Sequence, residues 1–454
     1  YVLRALQAGI INQTVVDCYD YLWNMVGVIR EMDADEPLKY DYISVVRQSF
    51  RTFDWAQETS ATIGETCQEV LTHIQRFIQE HANQKKQYTI TAVGHTHIDV
   101  AWLWRLRHTR EKIARSFSTV LELMKEYPDY QFFQSTPQDY AFLEADYPDL
   151  YKQILQRIKE GRWEADGATW LEPDTNLPSG ESLTRQFLYG MGYFHDKLNA
   201  KQHVLWLPDV FGYSAALPQI LQEFGIPNFM TTKISWNDTN RMPHDTFYWR
   251  GIDGSRVLTH FITTVESEAD FNDPMQWRYT YNGDITPRTV LGTYHVYADK
   301  QINDDLLLSY GYGDGGGGPT REQIKNIDII NQLPGMPTVK NGRVDDYFAR
   351  LQDKLHHTDA PVAEWDGELY LEYHRGTYTS QANIKKWNRT AEYALRRLEM
   401  SYATAYVEQD VPYPHQEIRD LWIILLRNQF HDILPGSAIH EVYDDAREEF
   451  KQLF

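Results

Sequence analysis

The sequence has few cysteines, no long hydrophobic run and a deficit of positive charge. Its 454 residues include only Cys18 and Cys67, neither of which stands in a CxxC or Cys/His spacing, so nothing predicts a disulfide framework or a zinc finger. A reducing compartment is the simpler expectation, and we predict a cytoplasmic location. The longest aliphatic runs, such as Leu421 to Leu426, are far shorter than the ~20 residues that span a bilayer.

The charge balance argues against two further classes of partner. With 44 Lys and Arg against 64 Asp and Glu, the formal net charge is −20, so the average field repels polyanions. We therefore predict neither nucleic acid nor a membrane surface as a partner. Aromatic residues are in excess instead, at 14% with 30 Tyr and 13 Trp. Aromatic rings stack on the apolar faces of sugars, so this excess favours a carbohydrate ligand, although large cores also consume aromatics.

Hydrophobic periodicity divides the chain into three parts. Residues 1–85 predict a helical leader, because apolar residues recur at three-to-four spacing over Tyr1 to Tyr21 and Thr66 to Gln79. Over residues 86–352, short apolar runs alternate with amphipathic stretches, which predicts an α/β domain with a parallel sheet and functional residues at the carboxyl ends of its strands. Residues 353–454 predict a helical bundle. The predicted strands are Thr89 to Val93, Gln131 to Gln134, Val204 to Leu207, Phe229 to Thr232, Val257 to Phe261 and Leu306 to Tyr310.

The most distinctive candidate site follows the first predicted strand. His95, His97 and Asp99 stand at spacings of two, so their side chains would point the same way if the chain stays extended. Two imidazoles and a carboxylate form a ligand set that suits Zn²⁺, with Co²⁺ or Mn²⁺ less favoured. The same residues could instead cap the strand and bind water, which is the usual fate of a single histidine.

Three further polar residues stand where functional groups are expected. Asp209 follows an apolar strand and a proline, and is a metal ligand, a catalytic group or the N-cap of the next helix. Asp314 lies among glycines, which allow the backbone to approach a ligand closely, so a reacting group is favoured over a surface charge. His431 ends a helix before a Pro-Gly stop, where a lone histidine is usually a helix-end residue.

Together these segments resemble the α-mannosidases of glycoside hydrolase family 38. The resemblance covers nearly all of the chain from about residue 88, through His95–Asp99, Gly161–Glu164, Leu177–Ser182, Trp206–Ser214, Ser235–Thr239, the Gly313–Asp314 loop, Glu368–Thr377 and Asn428–Asp432. It implies a seven-stranded (β/α) barrel preceded by a helical segment and followed by a helical bundle that contributes to the metal site. Family members continue into β-rich domains that are absent here, so we expect a portion of a longer enzyme, with its linkage preference open.

The resemblance also implies a mechanism and a set of site residues. One divalent ion would be bound by His97, Asp99, Asp209 and His431, and His95 would keep a supporting role. Asp209 would also be the nucleophile and Asp314 the general acid/base in retaining hydrolysis of terminal α-linked mannose from oligosaccharides or N-glycans, through a covalent glycosyl-aspartate. The implied pocket residues are Trp102, Trp236, His374, Tyr378 and Asp432.

Two other functions stay open from the residues alone. A metal-dependent carbohydrate deacetylase or amidohydrolase on a related barrel would use His95 and His97 with a metal-bound water, and would not need Asp314. A non-catalytic sugar-binding protein would bind without turnover, and the presence of both Asp209 and Asp314 argues against it. The sequence also leaves a homo-oligomer open.

Overall fold

The computed structural model describes residues 10–56, 59 and 62–454. The chain divides into two compact units. Unit 1 contains the residues up to Ile90 together with Ile285–Leu291 and Glu322–Lys340, and unit 2 contains Thr91–Asp284, Gly292–Arg321 and Asn341–Phe454. Residues 1–9 of the helix predicted over Tyr1 to Tyr21 lie outside the described residues.

Helices account for most of the regular structure. In chain order they are α1 (Gln13–Glu31), α2 (Pro37–Thr52), α3 (Ile63–Glu80), α4 (Leu106–Glu126), α5 (Pro137–Asp146), α6 (Pro148–Lys159), α7 (Gly180–Leu198), α8 (Leu217–Glu223), α9 (Pro287–Val296), α10 (Arg321–Gln332), α11 (Val344–His357), α12 (Ala382–Gln409), α13 (His415–Asn428) and α14 (His440–Leu453). Among the described residues, none of these helices has the length and apolar character needed to cross a bilayer.

In unit 1, α1, α2 and α3 pack against one another. Their apolar faces explain this, because Val28 of α1, Tyr42 of α2 and Ile74 of α3 recur at helical spacing with other apolar residues and are all fully buried. The Asn12 side chain accepts a hydrogen bond from the Val15 backbone N–H at 3.4 Å and caps the start of α1. The helix predicted over Thr66 to Gln79 lies within α3.

The strands form two sheets. They are β1 (Thr89–His95), β2 (Phe132–Gln134), β3 (Trp163–Ala165), β4 (Val204–Trp206), β5 (Asn228–Thr231), β6 (Thr246–Arg250), β7 (Arg256–Phe261), β8 (Asp305–Tyr310), β9 (Thr338–Asn341) and β10 (Glu364–Asp366). One sheet follows the order β3-β2-β1-β8 and the other follows β10-β6-β7-β5-β4. The pairs β1–β2, β2–β3, β4–β5 and β5–β7 are parallel, whereas β6 and β7 are antiparallel. The predicted α/β fold with a parallel sheet is therefore confirmed.

Strands of both sheets contribute to one buried interior. Along β4, Val204 and Trp206 face this interior, whereas Leu205 faces a second apolar cluster on the other side of the sheet. This is the period-two alternation of a strand covered on both faces. The interior cluster draws side chains from β1, β2, β4, β5, β7 and β8, among them Val93, Phe133, Val204, Met230, Leu258 and Leu307.

The last three helices of unit 2 lie against one another. Helices α12, α13 and α14 contact each other in all three pairs, and α13 also contacts α7. Because α13 ends at Asn428, the chain that follows it reaches the segment after β3, where Pro173 and Phe430 form an isolated antiparallel bridge. This pairing brings His431 to the carboxyl ends of the strands.

Candidate metal centre and active site

The carboxyl ends of three strands position the main candidate residues. Strand β1 ends at His95, and His97 and Asp99 lie in the segment that follows it. The Asp99 backbone N–H donates a hydrogen bond to the Asp314 carbonyl oxygen at 2.8 Å, which joins the segment after β1 to the glycine-rich loop after β8. Asp209 follows β4 three residues beyond its last residue, Trp206. The expectation that functional residues gather at this edge is thus met by the geometry.

Four side chains form a buried cluster suited to a metal ion. His97, Asp99, Asp209 and His431 each offer one ligand atom, and these atoms all lie within 4.8 Å of one another. His97 Nε2 lies 2.9 Å from Asp99 Oδ1, and His431 Nε2 lies 3.4 Å from that same oxygen. His431 Nε2 is also 3.6 Å from Asp209 Oδ2 and makes no hydrogen bond to the described residues. A buried ring nitrogen without a hydrogen bond, facing two carboxylates, fits a divalent cation with N/O ligands.

The charges of the cluster support the same assignment. Burial opposes the charged form of His97, but Glu172 and Asp99 outweigh it and raise its pKa well above the ordinary value. Burial also opposes protonation of His431, but the carboxylates of Asp209 and Asp99 that face its Nε2 raise its pKa to about 10. The neighbouring carboxylates therefore favour the protonated, positively charged rings of His97 and His431. A divalent ion would replace those protons, since metal binding releases protons from its ligands.

His95 lies apart from the cluster. Its Nδ1 is 3.0 Å from the Phe133 carbonyl oxygen, and its ring packs edge-on to Trp206 with centroids 5.3 Å apart. Burial lowers its pKa to about 4. His95, His97 and Asp99 would share one face only if the chain stayed extended, and this condition is not met, because β1 ends at His95.

A cavity of about 270 Å³ adjoins the cluster and collects most of the predicted site residues. Those that line it are Asp99, Trp102, Asp209, Trp236, Asp314, His374 and Asp432. Tyr378 is not among the lining residues of this cavity, and its hydroxyl accepts a hydrogen bond from Asn176 Nδ2 at 3.2 Å. Burial, and then Asp99, raises the pKa of Asp432 to about 7.

Asp209 has a cationic neighbour that sequence reasoning missed. Lys233 follows β5 in a single 3₁₀ turn, and its Nζ forms a buried ion pair with Asp209 Oδ1. The same Nζ lies 4.2 Å from the ring centroid of Trp236. Burial works to raise the pKa of Asp209, but Lys233 and then His431 outweigh it and hold the carboxylate ionised. The position of Lys233 at the carboxyl end of a predicted strand was the signal that could have identified it.

The loop after β8 presents Asp314 to the cavity. Asp314 has a φ of +57°, in the left-handed region that non-glycine residues seldom adopt. Its Oδ1 accepts hydrogen bonds from the Tyr281 hydroxyl at 2.8 Å and from Asn282 Nδ2 at 3.1 Å. A Cβ at Gly313 would collide with the Asn282 amide and would come within 3.3 Å of His97 Cβ. The glycine therefore permits the loop to lie close to Asn282 and His97.

Two family models match successive parts of the chain. Residues 87–368 match the N-terminal domain of glycosyl hydrolases family 38, and residues 372–454 match the alpha mannosidase middle domain.

Several characterised proteins are similar to the chain. Alpha-mannosidase G of Dictyostelium discoideum is 42% identical over 381 residues, which are 83% of this chain and 33% of that protein. Alpha-mannosidase 2C1 of Homo sapiens is 37% identical over 424 residues, which are 93% of this chain and 38% of that protein. The chain thus spans well under half the length of these relatives. The crystal structure of an alpha-mannosidase from Enterococcus faecalis V583 shares the fold, with a TM-score of 0.69 and 20% identity over 81% of this chain and 41% of that one.

Proposed function

This chain belongs to glycosyl hydrolase family 38, and from that premise we propose that it carries the active site of a metal-dependent α-mannosidase that removes terminal α-linked mannose with retention of configuration. The observation that carries the proposal is the convergence of His97, Asp99, Asp209 and His431 from three distant segments beside a cavity that Asp314 also lines. The expected substrate is a mannose-containing oligosaccharide, such as an N-glycan. Two relatives that are 42% and 37% identical to this chain over the aligned residues are named alpha-mannosidases.

The proposed reaction needs one nucleophile and one group that acts first as acid and then as base. An oxygen of the ionised Asp209 carboxylate attacks the anomeric carbon, and Asp314 gives its proton to the departing glycosidic oxygen. This leaves a glycosyl ester on Asp209. Asp314 then takes a proton from water as the water attacks the anomeric carbon, and Asp209 leaves as a carboxylate.

The ligand cluster would hold one divalent ion, with Zn²⁺ expected first and Co²⁺ or Mn²⁺ as alternatives. When bound, such an ion supplies positive charge and open coordination positions for sugar hydroxyls. The protein itself positions the ligand side chains and forms the walls of the cavity. Lys233 holds one oxygen of Asp209, and the other oxygen faces His431.

Several broader expectations belong to the same proposal. We propose that the strands close into the seven-stranded barrel expected for the family, which the shared interior of the two sheets supports. The mutual contacts of α12, α13 and α14 support a helical bundle that delivers His431. The domain boundaries 1–85, 86–352 and 353–454 stay predictions. So do a cytoplasmic location and the absence of nucleic-acid and membrane partners. Formation of a homo-oligomer stays open.

The deacetylase hypothesis is less well supported by the geometry. It needs His95 and His97 to act on one ion, yet His95 directs Nδ1 to a backbone carbonyl and packs against Trp206. Asp314, which that hypothesis does not need, is held at the cavity by two hydrogen bonds. Retaining glycoside hydrolysis needs an acid such as Asp314 and does not need His95 as a ligand.

Turnover of matched aryl glycosides tests the proposal. The protein should release mannose from an aryl α-mannoside, and should act on the corresponding α-glucoside several orders of magnitude more slowly, because a site built to bind particular hydroxyls rejects analogues that misplace them by up to ~10⁴ or more. Comparable kcat/KM values on the two substrates would contradict it. The covalent step is tested by trapping with a fluorinated mannosyl fluoride, which should label Asp209 as located by peptide mass spectrometry.

A matched pair of variants separates the loss of chemistry from the loss of folding. Asp209→Ala should abolish activity on every substrate. Asp166→Ala serves as the control, because Asp166 is an equally buried aspartate after the neighbouring strand β3 whose carboxylate accepts hydrogen bonds from the backbone N–H groups of Gly167 and His203. Activity of the folded fraction should survive in the control.

A further inference from the structure

The two histidines of the metal cluster contact the rest of the protein through the same ring atom. His97 Nδ1 lies 3.0 Å from Glu172 Oε2 as an ion pair without hydrogen-bond alignment, and His431 Nδ1 lies 2.9 Å from the main-chain carbonyl oxygen of Glu172. Both contacts are therefore made by one residue, once through its side chain and once through its backbone. In each ring Nε2 is left facing Asp99 and its neighbours in the cluster.

The backbone around Glu172 explains how one residue reaches both histidines. Glu172 lies in the loop after β3, and its carbonyl oxygen also accepts a hydrogen bond from the His431 backbone N–H at 3.2 Å. Two residues later, the Asp174 N–H donates to the Gln429 carbonyl oxygen at 2.9 Å. This short antiparallel pairing fixes the segment after α13 against the loop, so that His431 reaches the cluster although it lies far from His97 in the sequence.

Burial of the Glu172 carboxylate is energetically unfavourable. Glu172 is 4% exposed, and its other carboxylate oxygen accepts a hydrogen bond from the Ser135 hydroxyl at 3.2 Å. A buried charge is unfavourable unless it is paired, so a glutamate here is best explained by its contact with the His97 ring. A glutamine would satisfy packing and the Ser135 contact equally well.

We infer that Glu172 is the positioning residue for both imidazole ligands: its side-chain carboxylate orients His97, and its main-chain carbonyl orients His431. An oxygen next to Nδ1 favours the tautomer that carries its proton there and leaves the Nε2 lone pair for a metal ion, and a neighbouring carboxylate also makes the ring a stronger ligand. The inference rests on the proposed metal site and adds the residue that assembles it.

The test measures metal binding by the wild-type protein and three variants. Glu172→Met removes the acceptor, and Glu172→Gln keeps the shape but removes the charge. Glu164→Gln is the matched control, because Glu164 is 5% exposed in the adjacent strand β3 and its carboxylate accepts hydrogen bonds from the Val344 and Asp345 N–H groups instead of a histidine. The dissociation constant for Co²⁺ is measured by competition with a chromophoric chelator.

We expect Glu172→Met to weaken Co²⁺ binding on the order of 10- to 100-fold, the usual effect of removing a partner of a ligating histidine. Glu172→Gln should weaken it less, and Glu164→Gln should stay within about twofold of the wild type, since it changes no group that touches a ligand. NMR of the Co²⁺-loaded protein supplies a second readout. The wild type should show a hyperfine-shifted, exchangeable Nδ1–H resonance from each ligating histidine, and Glu172→Met should shift or broaden that of His97 while leaving that of His431, which is held by the backbone.

The outcomes distinguish this inference from the proposed function. Wild-type protein that binds no Co²⁺ would overturn the metal site itself, and the role of Glu172 with it. Wild-type protein that binds Co²⁺, with unchanged dissociation constants and both resonances unmoved in the Glu172 variants, would overturn the role of Glu172 alone. If Glu172→Met does not fold, the near-isosteric Glu172→Gln decides by the same two measurements.

Discussion

Replacing Lys233 by Met removes the positive charge beside the proposed nucleophile while keeping most of the side-chain length. The side chains of Lys233 and Asp209 are only 10% and 9% exposed, and their ion pair is screened little by solvent. Removing one partner of a buried pair leaves the other charge uncompensated, which costs about 3–5 kcal/mol. In chelator-treated protein, we therefore expect Lys233→Met to lower the free energy of unfolding by about this amount.

A second lysine allows the ion pair to be separated from the aromatic contact. Lys112 Nζ lies 4.2 Å from the ring centroid of Trp104, the same distance as Lys233 Nζ from Trp236. Among the described residues, no ion pair is formed by Lys112, whose pKa is lowered mainly by burial and raised less by the charge of Asp99. Its replacement by Met should therefore cost mainly the cation–π contact, about 0.5–1 kcal/mol at a partly exposed site.

A double-mutant cycle measures the pair directly. Urea denaturation in the presence of chelator is recorded for the wild type, Lys233→Met, Asp209→Asn and the double variant. Because the two residues are in contact, the coupling energy should be about 1–3 kcal/mol. The double variant should therefore lose less free energy of unfolding than the two single variants lose together. A coupling energy near zero, or a Lys233→Met loss no larger than that of Lys112→Met, would refute the reasoning.

Three further outcomes are expected. Asp314→Asn should lower kcat/KM on the order of 10²–10⁴-fold for mannosides with poor leaving groups and much less for activated aryl mannosides, and equal losses would exclude the acid role. Zn²⁺ at ~100–1,000 times its dissociation constant should stabilise the protein by about 2.7–4.1 kcal/mol in thermal unfolding, an increment that His431→Ala should remove. Burial raises the pKa of Asp245 to about 7. The folded state then keeps a proton that the unfolded chain has released, so the free energy of unfolding should fall as pH rises from about 4 to about 7, and Asp245→Asn should flatten this slope.

The strand predictions are correct where the sequence has a continuous apolar run. The runs at Val204 to Leu207 and Leu306 to Tyr310 end at a proline and a glycine, and both became strands. Strand β3 was missed because its apolar run is interrupted by Glu164, whose buried carboxylate accepts hydrogen bonds from the start of α11. That compensation depends on a distant element and leaves no local pattern.

The site was predictable to the extent that its residues follow strands directly. Asp209 and Asp314 were identified for that reason, whereas His431 came into the ligand set only through the family resemblance, because a helix-end histidine has no distinguishing local signal. Glu172 lies in a stretch with several other acids, and nothing in its spacing marks it. Lys233 looked like an ordinary polar residue after a strand until its contact with Asp209 was seen.

The different partners of the two Asp209 oxygens explain how one carboxylate would combine the two proposed roles of metal ligand and nucleophile. Oδ2 lies 3.6 Å from His431 Nε2, on the side of the ligand cluster, whereas Oδ1 contacts Lys233. A carboxylate that offers one oxygen to the cluster keeps the other for attack, and the lysine keeps that oxygen ionised. The lysine also favours return of the carboxylate when the proposed glycosyl ester is cleaved, because the negative charge reappears next to a buried cation. Lys233 would thus stabilise Asp209 both before attack and after release, which a neutral residue of the same size could not do.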